Sequence, residues 1–491
     1  MDNFKTEPFP HQTKYYFETR DLPSVGIGWE MGCGKTKLGI DTLCHLRTTN
    51  QINRVLVVAP GGVQRNWITD ELPKHMWSNI QYRAMFYESS KASTQSQQKE
   101  LIGLTNYPQL SILSMSYDAI ITKRGGDAAA KFIKKQDVLM ICDESHAIKN
   151  PKAKRTRFVI SASKHAKFRR VLTGTPLAQG PFDIYAQIKF LDPDFWKRLG
   201  FRTYTVFKNY FGSFVTNRTK DGHRYETLIA YRNLDELKEI IASIFIRLTK
   251  DDVLNLPPKL YQKRYFDLTA EQKRLYKQLK DELMLEIGDN IMDGSAAIVR
   301  LLRMQQITSG YFGYYDEFDL DDQGRPQLKM EIIEGKNPRL EALLEIIEEA
   351  GEKQGIIWAR FSQEITVILD RLKKDGYTAT RYDGKISSDE AFANQDSFKK
   401  GEKQFIVANA AKGAEGLTWH CATLVVYYSN DVKLVKRLQS EDRAHRIGTT
   451  QPVLYIDLIA NRTCDAKIVK ALRERRDIAQ DVMGDEITEW I

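Results

Sequence analysis

The chain has 491 residues, with 73 Lys+Arg against 64 Asp+Glu and a formal net charge of +9. Single hydrophobic cores stop growing near ~250–300 residues, so this length predicts two domains and excludes one. Hydrophobic residues at 42% and charged residues at 28% exclude wholesale disorder. No run approaches the ~18 apolar residues of a membrane span, and Met1-Asp2-Asn3-Phe4-Lys5 lacks the basic-then-apolar layout of a signal peptide. The expectation is a soluble protein that stays where it is made. Five scattered cysteines (Cys33, Cys44, Cys142, Cys421, Cys464), with no C-x-x-C pair, read as reduced thiols and give no zinc site. A pI near 9.0 points to an anionic partner, of which nucleic acid is the commonest, although the bias is modest for this length.

Along the first half, short apolar runs alternate with helical stretches. Val55-Leu56-Val57-Val58-Ala59, Leu110-Ser111-Ile112-Leu113-Ser114 and Val138-Leu139-Met140-Ile141-Cys142 are apolar nearly throughout and end in polar residues. Such runs fit strands covered on both faces, as in a parallel α/β sheet. The Ser-, Gln- and Lys-rich stretch Glu88–Glu100 reads as a solvated loop or a frayed helix. Near residue 265 the character changes. Thr269 is placed as the N-cap of a charged helix carrying Leu275, Leu279 and Leu283 at four-residue spacing. Asp316–Gly324 reads as an acidic loop. From Gly355 the α/β rhythm returns with Ile356–Ala359, Phe405–Ala408, Leu424–Tyr428 and Val453–Ile456. The expected fold is α/β: two parallel-sheet lobes with a helical insertion between their signatures.

Three strings carry chemistry. Gly32-Cys33-Gly34-Lys35-Thr36 precedes a helical stretch. In such a loop, backbone N–H groups wrap phosphates, lysine neutralises β/γ oxygens and the threonine hydroxyl ligates Mg²⁺. The strict pattern wants a glycine where Trp29 stands. Asp143-Glu144-Ser145-His146 follows a strand, and adjacent carboxylates there suit nucleotide hydrolysis, one holding Mg²⁺ and the other the attacking water. In Asp442-Arg443-Ala444-His445-Arg446-Ile447-Gly448 the arginines are three apart, so on a helix they would share a face and could stabilise a transferring phosphoryl group.

Together these strings resemble the Swi2/Snf2-like ATPases of helicase superfamily two, over nearly the whole chain to about Leu472. Pro10-His11-Gln12 resembles the adenine-reading glutamine motif, and Trp29–Thr36 the phosphate loop, with Trp29 where the family has Asp. Val57–Pro60 with Asn66-Trp67 resembles motif Ia, and Ser114-Met115-Ser116-Tyr117 motif Ib. Asp143–Asn150 is similar to the DEAH-type box and Leu172-Thr173-Gly174-Thr175-Pro176-Leu177 to motif III. Arg247–Lys250 with Leu256–Lys259 resembles the segment joining the lobes, and Tyr382-Asp383-Gly384 the start of motif IVa. Gly413–Thr418 is similar to motif V, with Thr418 where Asn is common, and Gln439–Gly448 to motif VI.

The resemblance implies two RecA-like lobes, 1–250 as the ATP-binding lobe and 251–491 as the C-terminal lobe with its insertion at about 265–330, and ATP between them. It implies that Lys35 and Thr36 hold phosphate and Mg²⁺, that Asp143 holds the metal through water, and that Glu144 activates the attacking water. Arg443 and Arg446 would reach the phosphates from the second lobe. Gln12, Gly32, Cys33, Gly34, Gly416 and Gln439 would complete the nucleotide contacts, with ATP and Mg²⁺ as the implied ligands. His146, Thr173, Gly174 and Thr175 would couple the nucleotide to motion. Gly61, Arg65 and Ser116 on the first lobe, and Arg360 and Lys412 on the second, are the candidate contacts to DNA phosphates, which position without reading sequence. Trp67 is expected to be a packing residue, Tyr311–Tyr315 core or the edge of a protrusion, Arg473–Arg476 a solvated helical face, and His420 structural.

The expected activity is ATP-driven translocation on duplex or branched DNA, independent of sequence. A true helicase or branch-migration enzyme is the alternative, and a DNA-binding scaffold without hydrolysis is the third reading. With no appended reader module, a bacterial or phage cytoplasmic role in repair or recombination is favoured over nuclear chromatin work, and a targeting protein would be a separate partner that the sequence does not name.

Overall fold

The computed structural model describes residues 3–134, 137–218, 224–254, 256–288, 294–320, 326–410 and 419–483. They fall into two compact units. The first is built on residues up to Phe214 with Leu228–Asn255 and a terminal piece from Asp477; the second on Leu256–Arg476 with Val215–Thr227.

The first unit contains β1 (Ser24–Trp29), β2 (Arg54–Ala59), β3 (Tyr82–Phe86), β4 (Leu110–Ser116), β5 (Val138–Asp143) and β6 (Phe168–Leu172). After β7 (Gly212–Arg218) and β8 (Arg224–Tyr231), which form a separate two-stranded sheet, β9 (Phe245–Leu248) completes a seven-stranded sheet in the order β3-β4-β2-β5-β6-β1-β9. Its pairings are all parallel. Every residue of β2 and β5 is buried. Side chains alternate across a strand, so Val55, Val57 and Ala59 enter one core with Leu38, Leu43 and Leu46 of the helix Lys35–Thr48. Leu56 and Val58 enter the other, with Phe132 and Ile188 from the helices Lys123–Ile133 and Ile184–Leu191. This is the physical reason for uninterrupted apolar runs: both faces of the sheet are covered. Because the strands are parallel, their carboxyl ends lie along one edge, and the loops that follow them meet there.

The second unit holds β10 (Lys259–Phe266), the hairpin β11 (Tyr311–Leu320) and β12 (Pro326–Ile332), and then β13 (Gly355–Trp358), β14 (Ala379–Tyr382), β15 (Phe405–Ala408), β16 (Leu424–Tyr427) and β17 (Val453–Ala460). Its six-stranded parallel sheet runs β10-β17-β16-β13-β15-β14. Between β10 and β11 lie the helices Ala270–Gly288 and Gly294–Thr308. Thr269 caps the first of them: its Oγ1 accepts from Gln272 N at 3.2 Å while Gln272 Oε1 accepts from Thr269 N at 3.0 Å, the reciprocal pair of a capping box.

Three local expectations are revised. The acidic segment from Asp316 is strand as far as Leu320, paired with β12 in an antiparallel hairpin, because ladder pairing there satisfies a backbone that composition alone reads as loop. Within Glu88–Glu100, Thr94 Oγ1 accepts from Gln97 N and starts a true helix, Gln95–Thr105, while buried Gln97 bonds back to the Glu88 backbone through both ends of its amide. Arg443 and Arg446 do not share a helical face. The helix Leu434–Glu441 stops before them, and turns closed by Arg443 N to Ser440 O (3.3 Å) and Thr449 N to Arg446 O (2.9 Å) carry the chain onward.

Candidate active site

The phosphate loop runs from the end of β1 into the helix Lys35–Thr48. Gly32 and Gly34 have φ of 90° and 80°, the left-handed region that favours glycine. A Cβ on Gly34 would also lie 2.0 Å from Gln12 Nε2, so the position admits no side chain. Lys35 Nζ donates to the carbonyls of Trp29 (2.9 Å) and Glu30 (3.1 Å), and so curls back over its own loop. Thr36 follows it in the first turn of the helix, half-buried. His11 and Gln12 brace the loop from outside: the His11 ring bonds Cys33 O at 2.9 Å, and Gln12 Nε2 donates to Gly34 O at 3.2 Å. Trp29 points inward, fully buried against the rings of His11 and Tyr15. An indole is therefore accommodated at a position where the family has a carboxylate. β9 and the segment after it tie down the loop's base, with Arg247 Nη1 donating to Gly28 O at 2.5 Å and Lys250 N to Glu30 Oε2 at 2.9 Å.

Asp143 ends β5 and is buried. Its Oδ2 accepts from the Trp67 indole at 2.8 Å, its Oδ1 from Glu144 N at 2.9 Å, and its carbonyl from the Tyr117 hydroxyl at 2.8 Å. Burial, and then the adjacent Glu144 charge, raise its pKa, while Trp67 and Lys35 oppose that shift. Glu144 has φ 47°, a left-handed conformation that costs a non-glycine residue on the order of 1–3 kcal/mol and collects at functional sites. Its Oε2 lies 3.3 Å from His146 Nδ1.

Motif III follows β6. Thr173 N donates to Ile27 O of β1 at 3.1 Å, and Thr175 N to Thr173 Oγ1 at 3.1 Å. A Cβ on Gly174 would lie 3.0 Å from Met31 Cγ and 3.3 Å from Met31 N, so this loop rests directly on the phosphate loop. Gln187 links it to the acidic box: Ser145 Oγ donates to Gln187 Oε1 at 2.5 Å, and Gln187 Nε2 donates to Pro176 O (2.6 Å) and Asp183 O (2.9 Å). Burial pushes the Asp183 carboxyl up to about 6, against the nearby Lys149 charge. Sequence reasoning took Trp67 as packing, gave Tyr117 no role beyond its place in motif Ib, and passed over Asp183 and Gln187. One signal was available, since Gln187 is an uncharged polar residue in the largely apolar helix Ile184–Leu191, a placement that implies a buried partner.

Among the candidate DNA contacts, Gly61 and Arg65 lie on the exposed helix Gly61–Asn66 after β2, and Ser116 ends the adjacent β4, in register with Ala59. The structure thus brings these three to one edge of the first sheet. Ser116 Oγ already accepts from Ala119 N at 3.0 Å. Arg360 follows β13 in the second unit, while Lys412 and Gly416 lie outside the described residues. Gln439 is buried on the helix Leu434–Glu441. Arg443 is buried and Arg446 half-buried in the turns that follow, and Arg443 O accepts from Trp419 N at 2.8 Å.

The residues present fit a nucleotide with Mg²⁺. Gly32 and Gly34 open the loop in a left-handed backbone conformation that favours glycine, and Lys35 offers its charge beside it. Mg²⁺ is commonly held by one or two protein oxygens plus phosphate and water. Thr36 and a buried Asp143 whose ionised form is disfavoured without a cation are therefore sufficient ligands. No group of three or more metal-ligating side chains occurs among the described residues. No helix among them is long and apolar enough to cross a membrane.

Comparison with known proteins agrees with this geometry. Residues 25–309 match the model of the SNF2-related domain, and residues 338–448 that of the helicase conserved C-terminal domain. The chain is 26% identical over 459 residues to the SWI/SNF chromatin-remodeling complex subunit snf22 of Schizosaccharomyces pombe, covering 91% of this chain and 26% of that one. It is 23% identical over 499 residues to the DNA repair and recombination protein RDH54 of Saccharomyces cerevisiae, covering 95% and 52%. It therefore spans about half, or less, of the length of these curated relatives. Among solved structures, the Sulfolobus solfataricus SWI2/SNF2 ATPase core in complex with dsDNA aligns over 98% of this chain and 94% of that one, at 23% identity and a TM-score of 0.41. With more than half of its length matched by the SNF2-related domain and the rest of its core by the helicase C-terminal domain, the chain belongs to the SNF2-related family of helicase-like ATPases.

Proposed function

We propose that the chain is a DNA-dependent ATPase that couples hydrolysis to movement along duplex DNA, without reading sequence. One observation carries the reading. The phosphate loop, the Asp143–Glu144 pair and the Gly61, Arg65 and Ser116 backbone-contact candidates all lie at, or just after, the carboxyl ends of strands of a single parallel sheet. In an open α/β sheet these ends form the ligand-binding edge.

Lys35 binds the β/γ oxygens of ATP once it leaves the Trp29 and Glu30 carbonyls, and the loop's N–H groups hold the remaining charge. Glu144 orients the attacking water and accepts its proton, with His146 Nδ1 3.3 Å from its Oε2. Thr36 and Asp143 would hold Mg²⁺, whose contribution is to neutralise charge building on the phosphoryl oxygens. Arg443 and Arg446 are assigned to the same transfer by their motif. Gln187, bonded to both the acidic box and motif III, is the side chain through which a change at Glu144 would reach the Thr173–Thr175 loop.

The test is steady-state ATP hydrolysis without nucleic acid and with single-stranded, duplex and branched DNA, alongside strand-displacement and triplex-displacement assays. Stimulation by plain duplex with triplex displacement, but no strand separation, is the expected result. Strand separation, or stimulation by branches alone, would replace the translocase with a helicase or branch-migration enzyme. No turnover under any condition would leave a scaffold.

A further inference from the structure

A cavity of ≈ 560 Å³ opens within the second unit, outside the carboxyl ends of β13, β15 and β16. It lies beside β13, where the strand order turns from β15 and β14 on one flank to β16 and β17 on the other, the switch point at which open α/β sheets take ligands. Four cationic side chains, Arg360, Lys433, Lys436 and Arg437, face a single carboxylate, Asp431, across it, and Leu301 adds an apolar wall from the insertion helix. Asp431 is engaged by Lys436 at 2.8 Å, and Arg437 by Asp457 and Glu441, so the positive field of the cavity comes from Arg360 and Lys433. That chemistry suits a phosphodiester.

A continuous set of bonds leads from this cavity to the helix that precedes the motif VI arginines. Arg360 donates through Nη1 to Gln305 Oε1. Gln305, 1% exposed on the insertion helix Gly294–Thr308, donates through Nε2 to Asn430 O at 3.0 Å. Asn430 Oδ1 accepts from Arg437 Nη1 at 2.8 Å, and Asn430 Nδ2 donates to Asp457 Oδ1 at 2.8 Å. Arg437 also bonds Asp457 Oδ1 at 2.5 Å, lies 3.4 Å over the Tyr427 ring, and donates through Nε to Glu441 Oε1 at 2.8 Å. Glu441 is the last residue of the helix Leu434–Glu441, and its other oxygen accepts from the Tyr261 hydroxyl at 2.8 Å. Arg443 comes two residues later.

We infer that Gln305 is the positioning residue that makes motif VI respond to a DNA phosphate held at Arg360. The inference rests on the DNA-dependent reading and extends it to a residue in the insertion, outside every motif. Gln305 suits the role because its amide is used at both ends. The oxygen fixes the Arg360 guanidinium at the cavity, and the N–H₂ group fixes the loop that holds Arg437. A guanidinium has five N–H donors, so Arg360 can meet a phosphate oxygen while still bonded to Gln305. Moving Arg360 therefore moves Asn430, and with it the partners of Arg437.

Two variants separate the halves of this link. Gln305→Glu keeps an acceptor for Arg360 but sets a carboxylate oxygen against Asn430 O, so duplex affinity by fluorescence anisotropy should be retained. The ratio of DNA-stimulated to basal ATP hydrolysis should fall by roughly 10-fold, within the usual range for coupling between two sites. Gln305→Met removes both bonds, so affinity and ratio should fall together; it also carries the test if the glutamate variant melts early. A ratio that stays at the wild-type value in both variants overturns the inference alone. So does a proportional fall of basal and stimulated rates, which would mark a structural role. Absence of any duplex stimulation in the wild-type chain would instead refute the DNA-dependent reading, and this inference with it.

Discussion

Replacing Trp67 by Phe isolates one bond at the centre of the site. The indole is 1% exposed and its N–H donates to Asp143 Oδ2 at 2.8 Å. Phenylalanine retains an aromatic body for packing but no donor. A hydrogen bond to a charged group contributes about 1.5–3 kcal/mol, and outer partners of metal ligands typically change metal affinity by about 10–100-fold. At about 1.4 kcal/mol per factor of ten, these two ranges agree. Asp143 keeps its bond from Glu144 N, so the carboxylate stays near its place and loses one of its two constraints. The expected result is a rise of roughly 10-fold in the Mg²⁺ concentration giving half-maximal ATP hydrolysis. The turnover number at saturating Mg²⁺ should fall less. The assay is a Mg²⁺ titration at saturating ATP with and without duplex, with thermal melting as the control for folding. An unchanged Mg²⁺ dependence in a folded variant would refute the claim that Trp67 holds Asp143 for the metal.

Glu144→Gln should bind nucleotide normally yet stop turnover; loss of binding, measured with a fluorescent ATP analogue, would make Glu144 structural. Arg446→Ala should leave nucleotide binding in place and slow hydrolysis by ~10³-fold or more, as expected of an arginine finger, and a near-normal rate would remove it from the reaction. Asp183→Asn tests a pH effect. The folded carboxyl is pushed up to about 6 from 3.8, so between those values the native state binds more protons than the unfolded one. Stability contributed by this group is then full below pH 4 and is lost as pH rises towards 7, by up to about 3 kcal/mol at about 1.4 kcal/mol per unit. Urea unfolding at pH 5 and pH 8 should show that slope weakened in the asparagine variant, and an identical slope would clear Asp183.

What the sequence made legible followed burial and local chemistry. β2, β4 and β5 could be read because both faces are covered, which removes polar residues from the run. β6 was hidden by Arg169 and Arg170. Arg170 is 2% exposed, with its guanidinium donating to the carbonyls of Leu22 (2.8 Å) and Thr19 (3.1 Å), partners supplied by a segment about 150 residues away. β10, Lys-Leu-Tyr-Gln-Lys-Arg-Tyr-Phe, lies at the sheet's edge with only partial cover, so its composition stays mixed. The same distinction holds in the site. Lys35, Asp143 and Glu144 announce themselves by type and spacing, because the chemistry needs those groups wherever the chain folds. Trp67, Tyr117 and Gln187 act through neighbours that only the folded sheet supplies. The helical face expected for Arg443 and Arg446 failed because spacing of three fits a series of tight turns as well as a helix.

The placement of these neighbours bears on how DNA and ATP would communicate inside the first unit. Trp67 holds the Asp143 carboxylate and Tyr117 holds its carbonyl. Each lies beside a candidate backbone contact: Arg65 is two residues before Trp67, and Ser116 immediately precedes Tyr117. On the proposed reading, a phosphate that shifts the Gly61–Asn66 helix or the end of β4 displaces a direct hydrogen-bond partner of the residue assigned to Mg²⁺. A long pathway is unnecessary, since the lever is one or two residues of backbone at the end of a buried parallel strand. On that reading, motifs Ia and Ib each place a bonding partner of Asp143 next to a candidate DNA contact. Gln187 makes a different link, bonding Ser145 of the acidic box to Pro176 of motif III. The first unit thus holds one aspartate from two sides, each beside a candidate contact to DNA.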